Sequence, residues 1–213
     1  MHPKTHPLRI RFWGTRGSLP APQTTDGVGL KILRAIQTVQ SRNLKAEDTL
    51  MTFIRRELPF CVRGTYGGNT ACVEIQGGAD SVLCDAGTGL RDFGNAVMKA
   101  MSNGRDASPK TFHLFMSHLH WDHIQGFPFF SPAYLPGCQI RIYGCHPGLQ
   151  DAFACQQNPP FFPVPLSAMS ADISFHTLEE GRLYEIAGFQ VTGIKQRHPG
   201  DSYGYRFLKD GKK

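Results

Sequence analysis

The chain has 213 residues, 40% of them apolar and 19% charged. That is ordinary for a globular protein and long enough for one sizeable domain or at most two small ones. The formal charge of +6 mildly favours anionic partners. It does not argue for nucleic acid, because the longest basic clusters are only Arg55-Arg56 and Lys212-Lys213. No apolar run approaches membrane-spanning length, and the opening "MHPKTHPLRIRFWG" has no signal-peptide core.

Taken in chain order, "LRIRFWG" alternates apolar and basic residues up to a glycine and predicts a strand over Leu8 to Trp13. The turn-rich "GTRGSLPAP" follows. Val28, Ile32, Ala35, Ile36 and Val39 recur at helical spacing and predict a helix from Val28 to Gln40. A second helix is expected over Ala46 to Glu57, with Glu47 and Asp48 in its first turn. Thr70 to Gln76 and Ser81 to Asp85 read as strands joined through "GGAD". "GTGLRDFGNAVMKAMSNG" reads as a tight turn into a helix with Gly104 just past its end. Its "GTG" is too short to be a phosphate loop. Phe112 to Met116 reads as a buried strand. After the aromatic "GFPFFSPAYLPG" come a strand in "QIRIYG", a helix near Gly148 to Gln156 and the loop "NPPFFPVP". Strands near Ile173 to His176, Gln190 to Gln196 and Tyr203 to Leu208 complete the pattern. Strands interleaved with helices predict an α/β layered fold. None of the six cysteines forms a C-x-x-C pair, and those in "ACVEI" and "VLCDAG" read as small buried hydrophobes. Reduced thiols make the cytoplasm the expected compartment.

"SHLHWDH", Ser117 to His123, carries three of the nine histidines. Strand residues two apart point the same way, so His118, His120 and Asp122 are expected to converge where the strand ends, with His123 joining after a turn. Imidazole nitrogen and carboxylate oxygen are zinc ligands at about 2 Å, usually in a tetrahedral set. The bland alternative, polar residues capping a strand, explains four metal-competent side chains in six residues poorly. His113, out of phase inside the strand, reads as a packed or surface histidine.

"HLHWDH" matches the H-x-H-x-D-H signature of the metallo-β-lactamase superfamily. "RFWGTRGSLPAP", "YGGNTACVEI", "LCDAGTGL", "NPPFFPVP" and "HPGDSYGYR" also resemble one branch in order and spacing. That branch contains hydrolases similar to ribonuclease Z and to the cyclic ribose-phosphate phosphodiesterase. The resemblance implies an αββα sandwich, incomplete at the C-terminus, with 1–213 as one domain and 27–59 as a helical insertion. It implies that His118, His120 and His198 bind a first metal and that Asp122 and His123 bind a second. Asp85 would orient a ligand, and Asn69 and Ser202 would lie near substrate, although turn hydrogen bonding explains those two equally well. Phe161 and Phe162 would wall or cover the site, or else pack on the core from a proline-stiffened loop.

The expected cofactor is Zn2+, one or two ions, with Mn2+ or Fe2+ compatible with the same ligands. Metal-lowered water acidity would supply a nucleophile for a phosphodiester, positioned by Asp122. The expected substrate is a cyclic nucleotide, a cyclic phosphate or RNA, and the resemblance allows a homodimer. Hydrolysis of a thioester or lactone, and an inactive metal-binding fragment, are the alternatives. A diiron reductase does not fit, because that branch has glutamate where this chain has His120. The branch completes its site with an aspartate and a histidine beyond "GYRF", whereas this chain ends in "FLKDGKK", a hairpin turn. A truncated chain is therefore expected, holding one metal well and the second poorly.

Overall fold

The computed structural model describes residues 8–42, 46–78, 80–103 and 111–212. Gly104 and Ala79, each expected in a turn, lie outside the described residues. The chain forms two compact units, 21–68 and the described residues on either side of it.

The smaller unit contains α1 (Thr25–Arg42), α2 (Glu47–Arg56) and α3 (Phe60–Arg63). Helix α1 starts three residues before its apolar periodicity does. The reason is a cap: Thr24 Oγ1 accepts the Gly27 N–H at 3.1 Å, satisfying an otherwise orphaned helix donor. Lys31 Nζ donates to the carbonyls of Cys61, at 2.6 Å, and Gly64, which ties α1 to the end of α3.

The larger unit is layered. One sheet has six strands in sequence order: β1 (Arg9–Gly14), β2 (Cys72–Gln76), β3 (Ser81–Cys84), β4 (Thr111–Phe115), β5 (Gln139–Gly144) and β6 (Asp172–Thr177). β1, β2 and β3 pair antiparallel, and β3 to β6 pair parallel. Parallel neighbours need crossovers, here containing α4 (Gly89–Ser102) between β3 and β4, then α5 (Trp121–Ile124) before β5 and α6 (Leu149–Gln156) after it. A second, antiparallel sheet holds β7 (Leu183–Ile186), β8 (Phe189–Lys195) and β9 (Tyr203–Leu208).

The two-residue period of a strand divides the core. Leu83, Phe112, Leu114, Ile140 and Ile142 pack with Leu90 and Phe93 of α4. Val82, Phe115 and Tyr143 turn the other way and pack with Phe189 and Val191 of the second sheet. His113 shares the Phe115 face, stacked on Tyr143 with ring centroids 5.8 Å apart.

Beyond the start of α1, three strands differ from the sequence expectation for reasons the structure shows. β2 begins at Cys72, because Thr70 is diverted into paired bonds with Thr88: the Thr70 N–H reaches Thr88 Oγ1 at 2.9 Å and the Thr88 N–H reaches Thr70 Oγ1 at 2.8 Å. β7 had no strong signal, being four residues long. It is fixed by a two-residue turn with φ of 52° at Ala187 and 73° at Gly188, the mirror-image turn that matches hairpin twist. β4 stops at Phe115, so the histidine motif leaves the sheet earlier than expected.

Among the described residues, no helix is long and apolar enough to cross a membrane.

Candidate metal centre

β3 and β4 are parallel and end in register, Cys84 opposite Phe115. Asp85 and Ser117 therefore emerge side by side. Asp85 has φ of 64°, a left-handed conformation that aspartate tolerates better than most residues. That turn aims its carboxylate across the strand ends. Oδ1 accepts the Ser117 N–H at 2.8 Å, and Oδ2 accepts the Ser117 hydroxyl at 2.8 Å and His123 Nδ1–H at 2.8 Å.

The ligand motif is not a continued strand. His118 and His120 lie in irregular chain, but Asp122 and His123 occupy α5, one helical turn. Alternation accounts for the first pair alone, and Asp122 reaches the cluster by helical winding. This corrects the expectation that alternation sets all three directions. The turn is held against the β3–α4 loop by Ala86 N–H to His123 O at 2.7 Å and Gly126 N–H to Ala86 O at 2.9 Å. The approach is so close that a Cβ on Gly87 would sit 2.5 Å from the Asp122 carbonyl oxygen. The "GTG" turn thus has a packing reason for its first glycine.

His198 arrives from far along the chain, on the loop between β8 and β9. Its base is fastened by Gln196 N–H to Ser202 O at 2.8 Å and by Tyr203 N–H to Ser117 O at 2.7 Å. The second of these joins the loop directly to the motif. His146, 5% exposed, gives Nε2–H to the Asp201 carbonyl at 3.0 Å from beneath the loop.

The side chains meet in two groups that share His118: His118, His120 and His198, and His118, Asp122 and His123, with donor atoms within 4.8 Å of one another in each. His118 is central, its ring centroid 4.7 Å from His120, 4.6 Å from His198 and 3.8 Å from His123. Hydrogen bonds set the tautomers. His118 Nδ1–H donates to Ser117 Oγ at 3.0 Å, His123 Nδ1–H to Asp85, and His198 Nδ1–H to the Pro199 carbonyl at 2.8 Å. Each imidazole is left with Nε2 as its lone-pair atom, the arrangement a metal-ligating histidine needs.

Charge reinforces this. Burial, then the neighbouring His123, pushes the His118 pKa down to about 4, so its imidazole is neutral at pH 7. Burial also opposes charge on His123, but the Asp85 hydrogen bond and the charges of Asp85 and Asp122 outweigh it and raise its pKa. The Nε2 atom of His123 lies 3.3 Å from Asp122 Oδ2. Two lone-pair atoms at that separation call for a cation between them, a proton or a metal. The spacing of ligands on a tetrahedral ion with bonds of about 2 Å is about 3.3 Å, so the residues present fit a metal. Asp122 Oδ2 is also steadied by the Ser18 N–H at 2.7 Å.

The remaining predicted site residues stand outside the two ligand groups. The Asn69 amide donates to Asp92 Oδ2 at 2.6 Å and accepts from Thr88 Oγ1 at 3.2 Å, bonds that tie it to the first turn of α4. Ser202 is 3% exposed and its hydroxyl donates to Gln196 Oε1 at 3.2 Å. Phe162 packs edge-on against Phe129 at 5.5 Å. Phe161 and Phe162 line a cavity of about 600 Å3 with Leu119, Trp121 and Phe129, residues that alternate with or follow the ligand motif. The sequence reading assigns no role to Ser18, Ser117 or His146. Ser117 stood inside the motif and could have been suspected; nothing local marks Ser18 or His146.

A mixed sheet packed on an antiparallel one, with a histidine–aspartate cluster at the strand ends, defines the class: an α/β fold built around a candidate metal site. A family model described as a beta-lactamase superfamily domain matches residues 80–213, more than half the chain. The chain belongs to the metallo-β-lactamase superfamily. It is 29% identical to ribonuclease BN of Cronobacter sakazakii over 133 residues, 60% of this chain and 41% of that protein. It is 27% identical to ribonuclease Z of Oceanobacillus iheyensis over 130 residues, 58% of this chain and 40% of that protein. The chain thus spans about two fifths of the length of these curated relatives. The fold is shared with the Zn2+-bound PqqB of Methylobacterium extorquens, at a TM-score of 0.55 and 12% identity, covering 95% of this chain and 59% of that one.

Proposed function

We propose that the chain carries the centre of a metal-dependent phosphodiesterase whose substrate is a cyclic nucleotide, a cyclic phosphate or RNA. The observation that carries this reading is the pair of ligand groups sharing His118. Two adjacent cation sites suit phosphoryl transfer because one can serve the attacking oxygen and the other the leaving oxygen. The sequence relatives named as ribonucleases support the same class.

In this reading His118, His120 and His198 hold one ion, and Asp122 and His123, with His118 beside them, hold a second. A divalent cation bound there would lower the pKa of water toward about 7 and offset charge building on the phosphoryl oxygens. The chain's own groups do the rest. Asp85 fixes the His123 ring and Ser117 fixes the His118 ring. Asp122, with Oδ2 held by the Ser18 N–H, has Oδ1 with which to orient a water. Zinc suits this nitrogen-rich set, and manganese or iron is compatible with it. Residues 27–59 are read as an insertion in one catalytic domain. A cytoplasmic location is part of the same reading.

The test is hydrolysis of bis(4-nitrophenyl) phosphate by the metal-stripped chain with and without added Zn2+. Turnover that needs metal and disappears in His118→Ala is expected. Cleavage of thioesters or lactones with no phosphodiester turnover would count against this proposal.

A further inference from the structure

The apolar cavity beside the metal centre has no part in holding a metal. It opens where the ligand motif turns into α5: Leu119 and Trp121 separate His118, His120 and Asp122 along the chain, and both line the cavity. Its aromatic rings are not used by the core. Trp121 is 64% exposed, Phe129 53% and Phe161 75%, whereas Phe127 and Phe130 of the same region are fully buried. A hydrolase that needed only the phosphodiester group would gain nothing from a row of solvent-facing rings beside its metal ligands.

The wall also has polar points. The Gln125 amide N–H donates to Thr70 Oγ1 at 3.3 Å and the Gln156 amide N–H donates to the Ile124 carbonyl at 3.1 Å. A primary amide carries two N–H groups and a carbonyl oxygen, so each of these lining residues has a further donor and an acceptor with which to meet a ligand. A flat apolar body with donors and acceptors at its edge is a nucleobase, and stacking on aromatic rings is how proteins hold bases without demanding one sequence. The cavity volume of about 600 Å3 lies in the usual range for small-molecule sites, about 300–1,000 Å3.

We infer that the groove formed by Trp121, Phe129, Phe161 and Phe162 is a base-binding subsite, which takes the nucleobase next to the phosphodiester presented to the histidine cluster. Trp121 follows His120 directly, and adjacent Cα atoms are about 3.8 Å apart, so one nucleoside phosphate can reach both. The inference rests on the proposed phosphodiesterase reading and narrows its substrate to the nucleoside class.

The experiment measures binding without metal and without turnover, so it is independent of catalysis. Tryptophan fluorescence of the chain is followed on titration with adenosine 5′-monophosphate and, in parallel, with base-free ribose 5-phosphate. The nucleotide is expected to quench Trp121, and the sugar phosphate is not. Phe129→Ala and Phe161→Ala, both at exposed positions, are expected to weaken nucleotide binding roughly 10-fold each. A triadenylate that binds more tightly than the mononucleotide assigns the groove to an RNA strand, and equal affinity assigns it to a mononucleotide; both support the subsite. Equal responses to the nucleotide and the sugar phosphate, or unchanged affinity in both variants, would overturn it. Base-dependent quenching with no phosphodiester turnover would sink the catalytic reading and leave the groove standing. Metal-dependent turnover without base-dependent binding would do the reverse.

Discussion

Asp85 Oδ2 accepts the Nδ1–H of His123 at 2.8 Å, joining the end of one strand to a helical turn 38 residues later. The bond orients the imidazole and places a negative charge behind it. Asp85→Asn separates these effects, because asparagine tolerates the left-handed backbone at this position and its carbonyl oxygen can still accept the bond. Zinc affinity, read by competition with a chelating dye, is expected to fall roughly 10- to 100-fold. An unchanged affinity would mean that the carboxylate charge contributes nothing to the site.

His118 belongs to both ligand groups, so the two cannot be lost independently through it. His118→Ala is expected to abolish all tight zinc binding in calorimetry. His198→Ala should remove only the first group and Asp122→Ala only the second. The wild-type chain should take its first ion more tightly than its second, because the shared imidazole is already engaged when the second arrives. Two equal, independent sites in the calorimetric isotherm would contradict this.

Metal-free stability should depend on pH in two opposing ways. The His118 pKa is pushed down to about 4 in the fold, against about 6.5 unfolded. Its contribution is therefore complete above the unfolded value and is lost as pH falls toward the folded one. The His123 pKa is raised, so its contribution is complete below the unfolded value and is lost as pH rises through the folded one. Urea unfolding at about pH 4.5 and about pH 7 should show acid destabilisation that His118→Gln reduces. Zinc should remove the loss on the alkaline side, since it replaces the proton on His123.

Away from the site, Ala187 holds φ of 52° in the β7–β8 turn, a conformation that costs an ordinary residue about 1–2 kcal/mol. Ala187→Asn, which suits such a turn, is expected to stabilise the chain by about 1 kcal/mol. The check is a rise in the urea midpoint with no change in slope.

Much of the strand and helix order was readable because it rests on local periodicity. Phe112 and Leu114 alternate with His113 and Phe115, and the two faces pack as that alternation requires. The exceptions have local causes that periodicity does not carry. Thr24 starts α1 through a cap, Thr70 leaves the strand pattern for Thr88, and β7 depends on left-handed turn residues without the usual Asn-Gly. The single helical turn at Trp121–Ile124 is too short to show a period, and it changes how Asp122 reaches the cluster.

What the sequence determined by itself was the crowding of metal-competent side chains between His118 and His123, because their proximity is a matter of chain spacing. What only the tertiary structure decided was everything that crosses the chain. Parallel pairing of β3 with β4 sets Asp85 behind His123, and the Tyr203 to Ser117 hydrogen bond brings the His198 loop to the motif. The Ser18 amide, about a hundred residues away by sequence, steadies Asp122. Side chains adjacent in sequence meet whatever the fold, but those far apart meet only when a packed core fixes the backbone segments that carry them.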